Sequence, residues 1–417
     1  MARREHTQHN QIDKRKHASA YAGRKEKPTE AGRRNDHGRA ERDAVPKRGG
    51  QTPEWKRSAK NASTEAGSTS AAKRGGNGAS GEGRRAGERA QTERAPMTFT
   101  ASGTAARDWA LPVAVSVETE AQLAEVLKHD AVALVYLDEA CFTDFAALIR
   151  RVHAAGKQAG LRLRRIERDF DASGRKAENS AELLNALWKM ERDAQKSEAQ
   201  SESAADRGSV AAAEAVPQMP ASEQQPPSCL PDALLVRNLD EAMLLEDFFA
   251  AHPELKARIR RNFDYTVYGY NQEAIQALVS LGADGLTYPI ELTYHECRKL
   301  RSELPFELMI YGHLPMMVSA NCIQRTSARC DHGNRILQLR DRMGKDMPVR
   351  CYCTYCYNQI FNAESLVLYD LPDEVRALQP QCLRYDFSVE PAAVVRQVLE
   401  GAVPRSMTRG HFRHGIE

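Results

Sequence analysis

From Leu111 onward, apolar runs of strand length alternate with amphipathic segments of helical period, and this alternation constrains the fold more than any other feature. PVAVSV (Pro112–Val117) reads as a strand and TEAQLAEVLKH (Thr119–His129) as a helix with Thr119 near its N-cap. VALVYLD (Val132–Asp138) and DFAALIRRVHAAGK (Asp144–Lys157) make a second unit whose helix ends at Gly156. QAGLRLRRI (Gln158–Ile166) and SAELLNALWKMERD (Ser180–Asp193) make a third. A β-α-β-α order predicts a parallel sheet with right-handed crossovers.

Residues 194–231 then break the pattern with Ser, Glu, Ala, Gln and Pro. Three units are too few to close a core and the alternation resumes directly afterwards, so the stretch reads as a flexible surface insertion in one connection. A linker between separate domains is the alternative. The later units pair ALLVRN (Ala233–Asn238) with Leu239–His252, and Ala257–Tyr268 with Asn271–Gly282. GLTYPIEL (Gly285–Leu292) then pairs with Thr293–Leu304, and Glu307–Ser319 is a seventh strand. Seven units, with the eighth position taken by an irregular Cys-rich stretch, predict an α/β fold. Specifically, they predict a TIM-like (β/α) barrel, complete or incomplete, over 106–320 and a Cys-rich region over 321–417. An open doubly wound sheet is the runner-up. No G-x-G-x-x-G follows a strand, so nothing supports dinucleotide binding.

Composition matters most at the N-terminus. Residues 1–105 are low-complexity sequence, and residues 1–100 carry 23 Lys and Arg against 12 Asp and Glu, a net +11. The rest carries 36 against 44, a net −8, so the near-neutral total hides a basic tail on an acidic body. Such a tail cannot bury enough apolar surface to offset its ordering entropy and reads as disordered. With RGG at Arg48–Gly50 and Arg74–Gly76, it is either a non-specific RNA-binding arm or a solubilising extension. No run of 18 apolar residues occurs, which excludes a helical membrane span, and no apolar core follows the first basic residues as in a secretory signal. The expected location is the cytoplasm.

Five of the nine cysteines fall in one stretch: Cys322, Cys330, Cys351, Cys353 and Cys356. In a reducing compartment, clustered thiolates are ligands for a soft metal or an iron–sulfur cluster more readily than a disulfide framework. Cys353 and Cys356 form a CxxC, and Cys322 and Cys330 can supply two further sulfurs. Four thiolates complete a [4Fe–4S] cluster. Zinc is the chemical rival, and inert buried thiols are the bland alternative. Cys351 is one residue from Cys353 and points elsewhere, so one of the two binds. Polar residues at predicted strand ends line a barrel mouth: Glu291, Asp264, Tyr265, Asn271, His313 and Asn321. Of these, Glu291, Asp264 and His313 are the candidate catalytic groups, each otherwise a cap or a satisfied buried polar side chain. Arg409 and His411 either close over the pocket or pack as an ordinary tail. Neither HExxH nor GxSxG occurs.

The run YGHLPMMVSANC (Tyr311–Cys322), a second Cys, and CTYCYNQIFN (Cys353–Asn362) together resemble the U32 peptidase family, in particular the C-terminal half of its long bacterial members. DYTVYGYNQEA (Asp264–Ala274), LGADGLTYPIEL (Leu281–Leu292), LRYDFSVE (Leu383–Glu390) and TRGHFRHGIE (Thr408–Glu417) add to the likeness. The resemblance implies a barrel fold. It also implies either collagenase-type proteolysis, from which the family is named, or oxygen-independent hydroxylation of RNA bases or ubiquinone precursors. Members of the latter kind hold a [4Fe–4S] cluster through four cysteines. Cys353 and Cys356 match the family's CxxCYN, and a ligand drawn from the end of the second strand makes Cys141 the alternative to Cys330. Long members open with a first barrel containing strings like LAPAG and GADAVY. Neither occurs here, so a separate U32 N-terminal barrel subunit becomes an expected partner. The expected function is an iron–sulfur-dependent enzyme of the RNA-modifying or hydroxylase type. The alternatives are a U32-type protease and a non-catalytic partner-binding module with a structural metal.

Overall fold

A computed structural model describes residues 97–208, 227–327 and 330–414. The chain begins with β1 (Phe99–Ser102), β2 (Val113–Val117), α1 (Glu120–Val126), β3 (Val132–Asp138), α2 (Phe145–Ala154), β4 (Gln158–Arg162) and α3 (Ser180–Gly208). It continues with β5 (Ala233–Val236), α4 (Leu239–Ala251), α5 (Pro253–Lys256), β6 (Arg260–Phe263), α6 (Gln272–Ser280), β7 (Gly285–Thr287), α7 (Tyr294–Cys297) and β8 (Phe306–Ser319). The C-terminal part holds α8 (Ile323–Ser327), β9 (Ile336–Arg340), β10 (Asp346–Tyr352), β11 (Tyr357–Val367), α9 (Pro372–Ala377), β12 (Cys382–Asp386), α10 (Ala392–Leu399), β13 (Ala402–Pro404) and β14 (Met407–Thr408).

Strands β2 to β8 hydrogen-bond in sequence order, all parallel, and β12 pairs with both β8 and β2. The result is a closed eight-stranded parallel barrel of TIM type. Its strands are covered on both faces, which is why β2 and β5 are buried at every residue. The main core lies between ring and helices, with Val115, Leu123, Ile149, Leu161, Leu245 and Val395 among its members. A separate small cluster, Ala114, Leu134, Tyr136, Ala233 and Leu235, fills part of the lumen.

The eighth place differs from expectation. The Cys-rich stretch does not occupy it; β12 does, and the barrel is complete. Arg384 and Asp386 point into the lumen and are buried there, so CLRYD lacks the apolar pattern of a barrel strand.

Helix starts follow the sequence closely. Thr119 forms a capping box with Gln122, and Asp144 and Asn271 cap α2 and α6. α3 runs past the expected Asp193 end to Gly208, because its extension is rich in Ala, Glu, Gln and Lys, all good helix formers. The expected insertion therefore begins inside a helix, and residues 209–226 of it lie outside the described residues. α7 is a single turn where a helix to Leu304 was expected. Residues 1–96 of the expected basic tail also lie outside the described residues, while β1, at its end, pairs with β13. Among the described residues, no helix is long and apolar enough to cross a membrane.

β8 is long because it serves two sheets. Its first half belongs to the barrel; from Tyr311 on it pairs antiparallel with β11, which pairs with β10, and β10 with β9. The crossing point needs Gly312, where a Cβ would stand 3.0 Å from both Asp386 Cβ and the Asp386 carbonyl oxygen. This second sheet carries the cysteines at the carboxyl end of the barrel.

Candidate functional site

Two loops bring the cysteines together. Cys322 precedes α8, and its sulfur accepts a hydrogen bond from the Arg325 amide at 3.4 Å. Cys353 to Cys356 form the tight turn between β10 and β11, where Tyr352 faces Tyr357 in register and Cys356 takes a left-handed conformation, φ 53°. Gln324 ties the loops: its carbonyl accepts from the Cys330 thiol at 3.7 Å and the Cys353 thiol at 3.6 Å, while its amide donates to Asp331 at 3.0 Å. Cys322, Cys330, His332, Cys353, Cys356, Tyr357 and Asn358 line one small cavity. A water centre reaches about 10 Å³ of it, room for roughly one water.

Burial pushes the Cys353 thiol up to about 12, and the neighbouring Cys351, Cys330, Cys322 and Cys356 add to the rise. Cys351 is pushed up to about 11 by burial and by Cys322 and Cys330. It borders the cluster from β10 without lining the cavity. Thiols packed this way ionise together only against a positive centre. Among the described residues, no group of three or more His, Cys, Asp or Glu is set in metal-binding geometry as it stands. The donor set nevertheless fits a thiolate-held group, since four sulfurs from two loops, with an imidazole beside them, face one cavity.

Directly beneath lies a buried ionic network at the strand ends of the barrel. Arg162 stands 3.1 Å from Glu118 and 3.4 Å from Asp138. Arg384 holds Asp264 at 2.6 Å and Asp386 at 2.9 Å, and also binds Glu307. Ser116 donates to Asp386 at 2.7 Å. Burial pushes Glu118 up to about 7, opposed by Arg350 and Arg162. Asp386 moves the other way: burial raises it, but Arg384, Arg162 and Ser116 together hold it below its ordinary value.

Arg237 is bound more loosely, 3.6 Å from Asp138 and 3.5 Å from Asp264. Its Nε and Nη2, and the Oδ2 atoms of both aspartates, have no hydrogen-bond partner among the described residues. A polar guest or ordered water is what such groups accept.

The cysteine turn docks on this network. Tyr352 donates to Glu118 at 3.0 Å, and Arg350 stands 3.2 Å from the same carboxylate. The Ala172 amide donates to the Thr354 carbonyl at 2.7 Å, and Arg164, held by Glu139 at 3.1 Å, lies 4.4 Å over the Tyr355 ring. Tyr352 and Tyr357 stack at 4.7 Å. Tyr357 lines the cysteine cavity and also feels the charges of Asp138 and Arg237, so one ring borders both regions.

Of the sequence-predicted residues, Cys322, Cys330, Cys353 and Cys356 share a cavity. Asp264 is inside the ionic network. His313 is buried on β8, Nδ1 2.8 Å from the Asn362 carbonyl and Nε2 3.7 Å from Glu390. Glu291 is exposed on the rim and accepts from the Tyr270 hydroxyl. Cys141 lies apart from the other four, 3.7 Å from Glu118 and 3.7 Å from Arg350. Asn271 is a helix cap, and Arg409 is held by Asp370. Glu118, Asp138, Arg162, Arg237, Arg350, Arg384 and Gln324 were not anticipated. Charged residues do close VSVE, VYLD and LLVR, but a single charged residue at a strand end is ordinarily solvated and marks no site by itself.

No family model matches the chain, and no curated protein does. Among solved structures it is similar to the U32 peptidase Mk0906, with 9% identity and a TM-score of 0.33, covering 72% of this chain and 100% of that one. It is also similar to the glycoside hydrolase domain of PelA from Pseudomonas aeruginosa, with 13% identity and a TM-score of 0.25, covering 50% and 85%. At these scores the likenesses assign neither activity nor substrate.

Proposed function

We propose that this chain is an iron–sulfur enzyme of the U32 type, in which Cys322, Cys330, Cys353 and Cys356 hold a [4Fe–4S] cluster over the barrel mouth. The observation that carries the reading is the shared cavity of those four sulfurs, set against Tyr357, which also faces the buried ionic network. When bound, such a cluster supplies one-electron chemistry at a potential tuned by its hydrogen bonds and exposure.

The chain's own groups account for the rest. Gln324 touches the Cys330 and Cys353 sulfurs, and once those thiols lose their protons its amide NH2 is the group that can donate to them. Arg237, with unused donors between Asp138 and Asp264, is the group that meets a polar substrate. Glu118, buried beneath Tyr352, keeps water from the underside of the cysteine turn and can hold a proton at its carboxylate. The resemblance points to an RNA base or a small aromatic ring as substrate. The basic N-terminal stretch would then supply phosphate contacts, and a separate first barrel would be the partner. The cytoplasm is the compartment in which those thiolates survive.

Anaerobic purification with metal analysis tests this. The expected product is brown, absorbs near roughly 400 nm and carries about four irons per chain, all lost in Cys322→Ser and Cys353→Ser. A colourless, iron-free protein from that preparation overturns the reading, and stoichiometric zinc replaces it with a structural site.

A further inference from the structure

The opposite end of the barrel is hollow. A cavity of about 240 Å³ opens at the amino ends of the strands, lined from every barrel strand except β5. Its existence follows from side-chain size. Bulky branched residues usually fill a barrel lumen in layers, whereas here Ala114 and Ala233 occupy such positions. Gly160 gives its space to the Tyr136 ring, which a Cβ would meet at 2.4 Å, and Gly285 gives its space to Asn262, at 2.7 Å.

The walls and the lip differ in chemistry. Leu134 and Tyr136 make an apolar wall, while the Phe306 ring, at the edge, is turned outward onto Tyr288. Arg260 stands exposed at the lip, with no acidic partner among the described residues. It lies two residues before cavity-lining Asn262 on β6, and so on the same face of that strand. Deeper in, Glu307 is already bound by Arg384 and repels a second anion. A guest is therefore oriented: apolar ring inward, negative group outward. The space is smaller than a drug-sized pocket and suits a molecule of one ring.

We infer that this cavity is a second small-molecule site, built for a compact aromatic carboxylate whose ring rests on Leu134 and Tyr136 and whose carboxylate meets Arg260. It lies at the far end of the barrel from the cysteines, so its occupant is not the substrate of the centre described above. Arg260 offers the forked donor geometry that a carboxylate matches, and a neutral ring gains only the apolar contact.

Benzoate is the probe, with benzyl alcohol as its neutral counterpart, both titrated into the full chain and followed by ligand-observed NMR. Saturable benzoate binding in the millimolar range is expected. Arg260→Glu should weaken it at least about tenfold while leaving benzyl alcohol unchanged. Ala133→Trp, at an exposed position on the lip, should abolish binding of both. Absence of saturable benzoate binding at millimolar concentrations, or equal affinity in Arg260→Glu, overturns the inference. Should Ala133→Trp fail to fold, contacts between benzoate protons and the Leu134 and Tyr136 side chains in the unmodified protein decide, and a cavity holding only water shows none.

Discussion

The two ends of the barrel are made by the same strands and have opposite interiors. At the carboxyl end, Arg162, Arg237 and Arg384 are packed against Glu118, Asp138, Asp264 and Asp386, all buried and covered by the cysteine turn. At the amino end, the lumen is lined by Ala114, Leu134, Tyr136, Ala233 and Leu235 and leaves open space. Arg384 joins the halves, since it reaches Asp264 and Asp386 on one side and Glu307 on the other. The contrast teaches that a closed barrel draws its stability from the shell between ring and helices. Its lumen is then free to carry charge at one end and a void at the other.

Arg384→Met gives the largest effect. It leaves three buried carboxylates short of their shared cation and should cost about 3–5 kcal/mol, read as a fall in the urea midpoint. A cost under about 1 kcal/mol would mean that the charged end is hydrated rather than packed. Gly160→Ala probes the other end. Its Cβ meets Tyr136, but that ring borders the hollow and can shift into it, so the expected loss is only about 1–2 kcal/mol. A loss well above about 3 kcal/mol would show the amino end to be tightly filled.

Tyr352→Phe removes one hydrogen bond between the cysteine turn and Glu118 and should cost about 1 kcal/mol, with faster hydrogen exchange in the β10–β11 turn and none in the barrel helices. The smallest effect concerns His153 and Asp232 at the amino end, 2.8 Å apart. The Asp232 contact raises His153, and although burial raises Asp232, its hydrogen bonds from His153 and the Ala159 amide hold it below its ordinary value. His153 therefore contributes fully below its unfolded value of 6.5 and loses that contribution as the pH climbs through its higher folded value. Asp232 contributes above its unfolded value and loses it as the pH falls through its lower folded value. His153→Asn should flatten the alkaline limb of a stability-against-pH profile by no more than about 1 kcal/mol, since both side chains are partly exposed. An unchanged alkaline limb would remove His153 from the account.

The residues themselves show why some of this was legible in the sequence and some was not. VAVSV, VALVYLD and ALLV are apolar at nearly every position because both their faces are covered, so they stand out as strands. The grouping of Cys322, Cys330, Cys353 and Cys356 around one cavity was legible because clustered thiols are rare. The strand after Cys382 is legible, but its place in the ring is not, because lumen-facing Arg384 and Asp386 look like surface charge until their partners, 120 and 270 residues away for Asp264 and Ser116, are in place. The same holds for Arg162 and Arg237, since a single charged residue at a strand end is ordinarily solvated. α3 was cut short for a related reason: past Asp193 it has no apolar stripe, so only propensity marks it as helical.

The order of strands around the ring carries a consequence for assembly. The stave that seals it, β12, is synthesised after the whole thiol-bearing ribbon, so the cylinder cannot shut between β8 and β2 until that ribbon has been made. Closure then joins segments far apart in the chain, a slow event by its contact order.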